Sequence, residues 1–377
     1  MTAKAMTEKI KKYLEEYQNV KLDIAITGES GSGKSTFVNA FRGIDNRDDR
    51  AAPTGVVETT MKPEPYPHPI YPNVTIWDLP GVGTTTFSAD QYLEHVEFKK
   101  YDFFIVVSGD RFSENDVMLA QEIKRMDKKF YFVRSKIDDN LRAEKKSQRN
   151  YNEKNTLQQI RGYCIQELEK QGLASSQVFL VSSFHLHLYD FSTIQDTMEE
   201  ELSSLKKYAL TLAFPNINQS SISKKKEVFR SQIIYYVILS AAVAVVPIPG
   251  LSFCVDLVVL DGLFKSYLIG FGLDVVTLNK LSTISNIPLE DLMAECKCTL
   301  SGQEITATLV VKFLTSFERM GMTTAEEDYS MISILGDWIA ARRSFVFLKE
   351  FLNSLLDGLF DDAINVQKKV GISKEEQ

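Results

Sequence analysis

The chain has 377 residues, 44% of them hydrophobic and 25% charged, ordinary globular values that exclude a fibrous or largely disordered protein. Its length exceeds what one hydrophobic core serves, so two domains are expected. A formal net charge of -7 excludes the broad basic field that nucleic-acid binding needs.

Residues 1–12 are polar and charged and lack the apolar core of a secretory signal. The cysteines are Cys164, Cys254, Cys296 and Cys298. Only the last two are close, as C-x-C without a partner cluster, so free thiols in a reducing, cytoplasmic compartment are expected. Thr2 stands where myristoylation needs glycine and no cysteine lies near Gln377, so no lipid anchor is expected. Residues 4–18 have helical composition, with Ile10, Leu14 and Tyr17 in one apolar stripe. So short a helix needs a packing partner, expected in the C-terminal half.

Residues 22–27 read as a short apolar strand. They run into Gly28, Glu29, Ser30, Gly31, Ser32, Gly33, Lys34 and Ser35, which fit G-x-x-x-x-G-K-[ST] at every fixed position. Thr36 then opens a helix. Strand, glycine loop and helix is the context of a phosphate-cradling loop, in which backbone N–H groups and the helix dipole meet phosphate oxygens. Lys34 is expected to reach the β and γ phosphates and Ser35 to ligate Mg²⁺.

A charge-dense loop at 43–50 precedes the segment 51–61, where a threonine can complete the Mg²⁺ shell. Thr60 is the first choice and Thr59 the reserve. Residues 74–77 read as a strand ending in Asp78-Leu79-Pro80-Gly81. A carboxylate there is placed to hold Mg²⁺ through water, and Gly81 lets a backbone N–H approach the γ-phosphate.

Continuous apolar runs at 103–108 and 130–134 suit a parallel sheet covered on both faces. The second leads into Ser135-Lys136-Ile137-Asp138, the [NT]KxD guanine-reading pattern with serine in its first place. Asp138 can accept from two donors on the guanine edge, which adenine lacks, so it selects GTP over ATP, with the Lys136 stem along the base. A fifth strand, 178–181, ends in Ser182 and Ser183, where a backbone N–H can meet the guanine carbonyl. His185 and His187 read as solvated rather than metal-bound.

Residues 28–35, 54–61, 66–69, 72–81, 101–104 and 130–134 together resemble the immunity-related GTPases, the interferon-inducible p47 group, and Lys34 resembles the effector branch with GKS. The likeness is dense over 21–190. It implies a dynamin-like GTPase that self-assembles with GTP bound, pairs across its nucleotide face as a homodimer or homo-oligomer, and acts at intracellular membranes around pathogens. It also implies a switch glutamate at Glu58 and the Mg²⁺ threonine at Thr60. Lys34, Glu58, Thr60 and Gly81 are the residues expected to act on the phosphates.

The position after the D-x-x-G glycine is Val82, whose side chain cannot orient water. The isolated monomer is therefore expected to be slow, and a second copy to complete the site. Arg42, Arg47 and Arg50 are expected to be solvated rather than catalytic.

Beyond 206 the strand rhythm ends. Residues 231–255 carry no charge, but Pro247 and Pro249 interrupt them. A buried helical hairpin is expected, with a membrane-inserting one as the alternative, and peripheral membrane contact is assigned to this half. Further helices are expected at 275–285, 289–296, 304–320 and 337–369.

The expected architecture is an α/β P-loop GTPase domain over 21–206 and an all-α domain over 207–377 joined by the helix of 1–20. Its ligands are GTP or GDP with Mg²⁺, without nucleic acid. The alternative function is a GTP-controlled scaffold or regulator with negligible turnover.

Overall fold

A computed structural model describes residues 3–55, 60, 62–81, 96–109, 114–173, 177–243, 251–321 and 345–375. The chain divides into two compact units, one formed by Gln18–Ile217 and the other by Met1–Tyr17 together with Asn218–Gln377.

In chain order the elements begin with α1 (Ala3–Asn19), β1 (Leu22–Thr27), α2 (Lys34–Phe41), β2 (Glu64–Pro67) and β3 (Val74–Asp78). Then come β4 (Phe103–Ser108), α3 (Glu114–Arg125), β5 (Phe130–Arg134), α4 (Ile137–Ser147), α5 (Glu153–Lys170), β6 (Val178–Leu180), α6 (Phe191–Glu201) and α7 (Ser204–Ala213). The remaining helices are α8 (Gln219–Val243), α9 (Leu251–Phe271), α10 (Val275–Ser285), α11 (Leu289–Ala294), α12 (Ala307–Gly321) and α13 (Phe345–Glu375).

The strands form one sheet in the order β2-β3-β1-β4-β5-β6. All neighbours are parallel except β2, which runs antiparallel to β3 with Tyr66 opposite Ile76. Every residue of β4 is buried, because side chains alternate between two covered faces. Phe103, Ile105 and Val107 enter a core with Phe37, Phe41, Phe191 and Phe214, while Phe104 and Val106 enter another with Leu119, Phe132 and Leu168. The ends of the central strands that carry Thr27 and Asp78 are thereby held in register, Ile26 lying opposite Asp78.

The unit that holds the sheet runs past the expected boundary at 206. Ala209, Leu210 and Ala213 of α7 and the following Phe214 are buried in the first core, so the unit ends at Ile217.

In the helical unit, α1 buries Ile10 and Leu14 and sets Tyr13 against Tyr235 of α8, ring centroids 4.7 Å apart. Leu348, Leu352, Leu355 and Leu359 of α13 are buried at spacings that make one face of a helix. Among the described residues, no helix is long and apolar enough to cross a membrane. Residues 244–250, with Pro247 and Pro249, lie outside the described set.

Candidate functional site

The loop between β1 and α2 is shaped by close backbone approach. Gly28 has φ +137°, and a Cβ there would stand 2.1 Å from the Val107 carbonyl oxygen of β4, so only glycine lets the two strands meet. Gly31 and Gly33 also have left-handed φ, 78° and 92°, which curls the loop into the first turn of α2. Ser30 and Gly31 are exposed, Glu29, Gly33, Ser35 and Thr36 are half-buried, and Ser32 and Lys34 are buried. The Lys34 ammonium donates to the Glu29 carbonyl oxygen at 2.8 Å. That bond arches the side chain back over its own loop.

Asp78, at the end of β3, is fully buried. Its Oδ2 accepts from Ser35 Oγ at 2.6 Å and from Thr60 Oγ1 at 3.1 Å. Its Oδ1 is buried and accepts no hydrogen bond among the described residues. Burial raises the Asp78 carboxyl above its ordinary value, opposed by the Ser35 hydroxyl, the Lys34 charge and the Thr60 hydroxyl. A buried carboxylate with an unused oxygen beside two hydroxyls is a hard-oxygen donor set that suits Mg²⁺. Ser35, Thr60 and Asp78, separate in sequence, are brought together as that set. Gly81 closes the same corner, since a Cβ on it would lie 2.9 Å from the Ser30 backbone nitrogen.

The loop that carries Ser135, Lys136 and Asp138, expected to read the base, follows β5. Lys136 has left-handed φ, 56°, and its ammonium donates to the Gly31 carbonyl at 2.8 Å. The Ser135 hydroxyl reaches the carbonyl oxygens of Ser32, at 2.7 Å, and Ser108, at 3.1 Å. Asp138 is half-buried in the first turn of α4, next to this junction. The Ile137 N–H donates to the Val181 carbonyl at 3.2 Å, so the segment after β6 abuts the same loop. There Ser182 is buried and Ser183 half-buried.

Glu58, Thr59 and Val82 lie outside the described residues. Arg42 is buried and donates to the carbonyls of Pro67 and Arg50, while Arg47 pairs with Asp45 and Arg50 with Asp48. These contacts give the three arginines local structural tasks. His185 and His187 are exposed, their ring centroids 6.4 Å apart. Among the described residues no group of three or more His, Cys, Asp or Glu side chains is placed to hold a metal, and the Mg²⁺-type set above relies on hydroxyls instead.

Two supporting residues escaped sequence reasoning. Asn39 of α2 is fully buried; its Oδ1 accepts from the Ala52 N–H at 2.7 Å and its Nδ2 donates to the Ala52 carbonyl and to Asn46 Oδ1, both at 2.9 Å. The stem of the segment leading to Thr60 is thus tied to α2. Asn115 at the start of α3 donates to Glu29 Oε1 at 3.0 Å, bracing the loop from the other side. A polar Asn39 among the apolar residues of α2 was the one visible sign.

A family model described as Interferon-inducible GTPase (IIGP) matches residues 2–369. Interferon-inducible GTPase 5 of Rattus norvegicus is 36% identical over 362 residues, covering 96% of this chain and 78% of that protein. Interferon-gamma-inducible GTPase 10 of Mus musculus is 36% identical over 360 residues, covering 95% and 84%. Interferon-inducible GTPase 1 of Mus musculus is 39% identical over 287 residues, covering 75% and 69%. Among solved structures, Toc33 from Arabidopsis thaliana in complex with Mg²⁺ and GMPPNP aligns over 48% of this chain and 78% of that one, with TM-score 0.33 and 14% identity. With a family model spanning almost its whole length and relatives alike over most of theirs, the chain belongs to the interferon-inducible GTPase family and is itself a GTPase.

Proposed function

We propose that this GTPase of immunity hydrolyses GTP with Mg²⁺ held by Ser35, Thr60 and Asp78, and that a second copy, bound across the nucleotide face, raises its turnover. The observation that carries the reading is the Asp78 carboxylate, which gathers the Ser35 and Thr60 hydroxyls on one oxygen and keeps the other buried without a hydrogen-bond partner among the described residues.

In this reading the backbone N–H groups of the loop over 28–35 and the N-terminus of α2 bind the phosphates, and Lys34 adds its charge to the β and γ groups. Ser35, Thr60 and Asp78 would hold Mg²⁺, which when bound would neutralise phosphate charge. Asp138 reads the guanine edge, the Lys136 stem covers the ring, and the Ser182–Ser183 backbone meets the guanine carbonyl. Val82 leaves the attacking water without a side chain to orient it, and the second copy, with Glu58 at the shared face, is assigned that shortfall. The place of action is cytoplasmic, with recruitment to the membranes of pathogen-containing vacuoles through peripheral contacts of the helical unit.

Steady-state phosphate release, measured against protein concentration in Mg²⁺ and in EDTA, tests the reading. Specific activity should climb with concentration in Mg²⁺ and vanish in EDTA. A specific activity independent of concentration would remove the second copy, undiminished release in EDTA would remove the metal set, and no release at any concentration would leave a GTP-controlled scaffold.

A further inference from the structure

Arg134, the last residue of β5, is buried, and its guanidinium bonds to the chain on three sides. Nη1 donates to the Ser135 carbonyl at 2.9 Å and to the carbonyl of Gly109, the residue just beyond β4, while Nη2 donates to Asn140 Oδ1 in α4 at 2.7 Å. Ser135 precedes and Asn140 follows the two residues assigned to the base, Lys136 and Asp138. One side chain therefore grips both ends of that segment and fastens it to the end of the sheet.

The residue between the grips needs holding. Lys136 has φ 56°, a left-handed conformation that a residue with a Cβ disfavours and that persists where its surroundings over-determine it. It also stands at the N-terminal end of α4, which its side chain does not cap. The Lys136 ammonium is drawn to Gly31 and the Ile137 N–H to Val181, and Arg134 supplies the bonds before and after. A planar guanidinium reaches acceptors on separate segments at fixed angles, which the compact ammonium of a lysine does not. The same charge also acts in the core, where burial pushes the Cys164 thiol up to about 11 and Arg134 draws it down. Lysine at this position would retain the charge and lose the fork.

We infer that Arg134 is a positioning residue for the base: by bracketing Lys136 it sets where the Asp138 carboxylate stands, and with it the discrimination of guanine from a purine that lacks the 2-amino group. The inference rests on the guanine site proposed above and adds the residue that aims it.

The test uses the full chain. Affinities for GDP, inosine diphosphate and inorganic pyrophosphate are measured beside urea midpoints for the wild type, Arg134→Lys, Asn140→Ala and the double variant. Inosine diphosphate differs from GDP only in lacking the 2-amino donor, so the ratio of the two affinities reads the aim of Asp138 and not the stability of the fold. Arg134→Lys should weaken GDP by about ten-fold, inosine diphosphate by much less, and pyrophosphate not at all. Asn140→Ala should lower the same ratio by about three-fold, and the double variant should fall no further than Arg134→Lys alone, because both remove one contact. An Arg134→Lys chain with a lower urea midpoint and an unchanged ratio overturns the inference, as does an equal loss for all three ligands. Asn140→Ala leaves the buried charge in place, so an unchanged ratio there overturns it even where Arg134→Lys does not fold. A wild type that binds ADP as tightly as GDP removes the guanine site and the inference with it, whereas an unchanged ratio removes the inference alone.

Discussion

The Ser135 hydroxyl donates to the Ser32 carbonyl oxygen at 2.7 Å, so the loop proposed to read the base is fastened to the loop proposed to hold the phosphates. Ser32 and Ser135 are both buried, and the bond crosses 103 positions of sequence. Ser135→Ala deletes it, at a cost of about 1 kcal/mol, or roughly five-fold in GDP affinity. Ser135→Thr retains the hydroxyl and should bind as the wild type does in a calorimetric titration.

Asn39 is the second joint. Truncation in Asn39→Ala strands the buried N–H and carbonyl of Ala52, each costing about 1–3 kcal/mol. The urea midpoint should fall clearly. In the fraction that remains folded, GDP affinity should stay near wild type, because Asn39 reaches Ala52 and Asn46 from the far end of α2. Phosphate release should drop, since the stem leading to Thr60 has lost its tie.

Asp78 sets function against stability. Burial raises its carboxyl, so the folded chain holds this proton more tightly than the unfolded one. Its contribution to stability is greatest when the proton is on, and declines as pH climbs from the ordinary carboxylate value through the folded one. In the ligand-free chain at pH 7, Asp78→Asn should therefore melt at or above the wild-type temperature. Its Mg²⁺-dependent phosphate release should fall by roughly 10²-fold or more. A calorimetric scan beside the release assay checks both.

Lys225 of α8 gives a pH signature to the helical unit. It is buried and its ammonium donates to the Gly270 carbonyl of α9 at 3.2 Å, and burial lowers its pKa to about 7. Between that value and the ordinary lysine value the unfolded chain holds the proton and the folded one does not. Stability should thus rise with pH across that window. Urea midpoints measured from pH 7 to pH 10 should show this rise in the wild type and a flatter profile in Lys225→Met.

The legible parts of this molecule were those whose physics is local. A left-handed glycine at 28, 31 or 33 and the lysine and serine that follow are specified by one loop, so their spacing survives in sequence. The place of Asp78 at the end of β3 was visible because the short β-branched run before it stops there. By contrast, β2 contains Pro65 and Pro67, residues that argue against a strand, and exists because β3 offers it an edge. The boundary at 206 missed α7 for a similar reason, as its attachment to the sheet comes from burial of Leu210 and Phe214 among residues distant in sequence. Ser135 and Asn39 owe their importance to acceptors and donors on other segments, which no spacing records.

Helix α2 has only two turns, a rod about 12 Å long at the usual helical rise. Lys34 and Ser35 occupy one end, while Asn39 and Arg42 grip Ala52 and Arg50 at the other. The phosphate cradle and the root of the Thr60 segment are therefore one rigid part. A shift of α2 would carry the proposed phosphate cradle and that root together, as a short piston does.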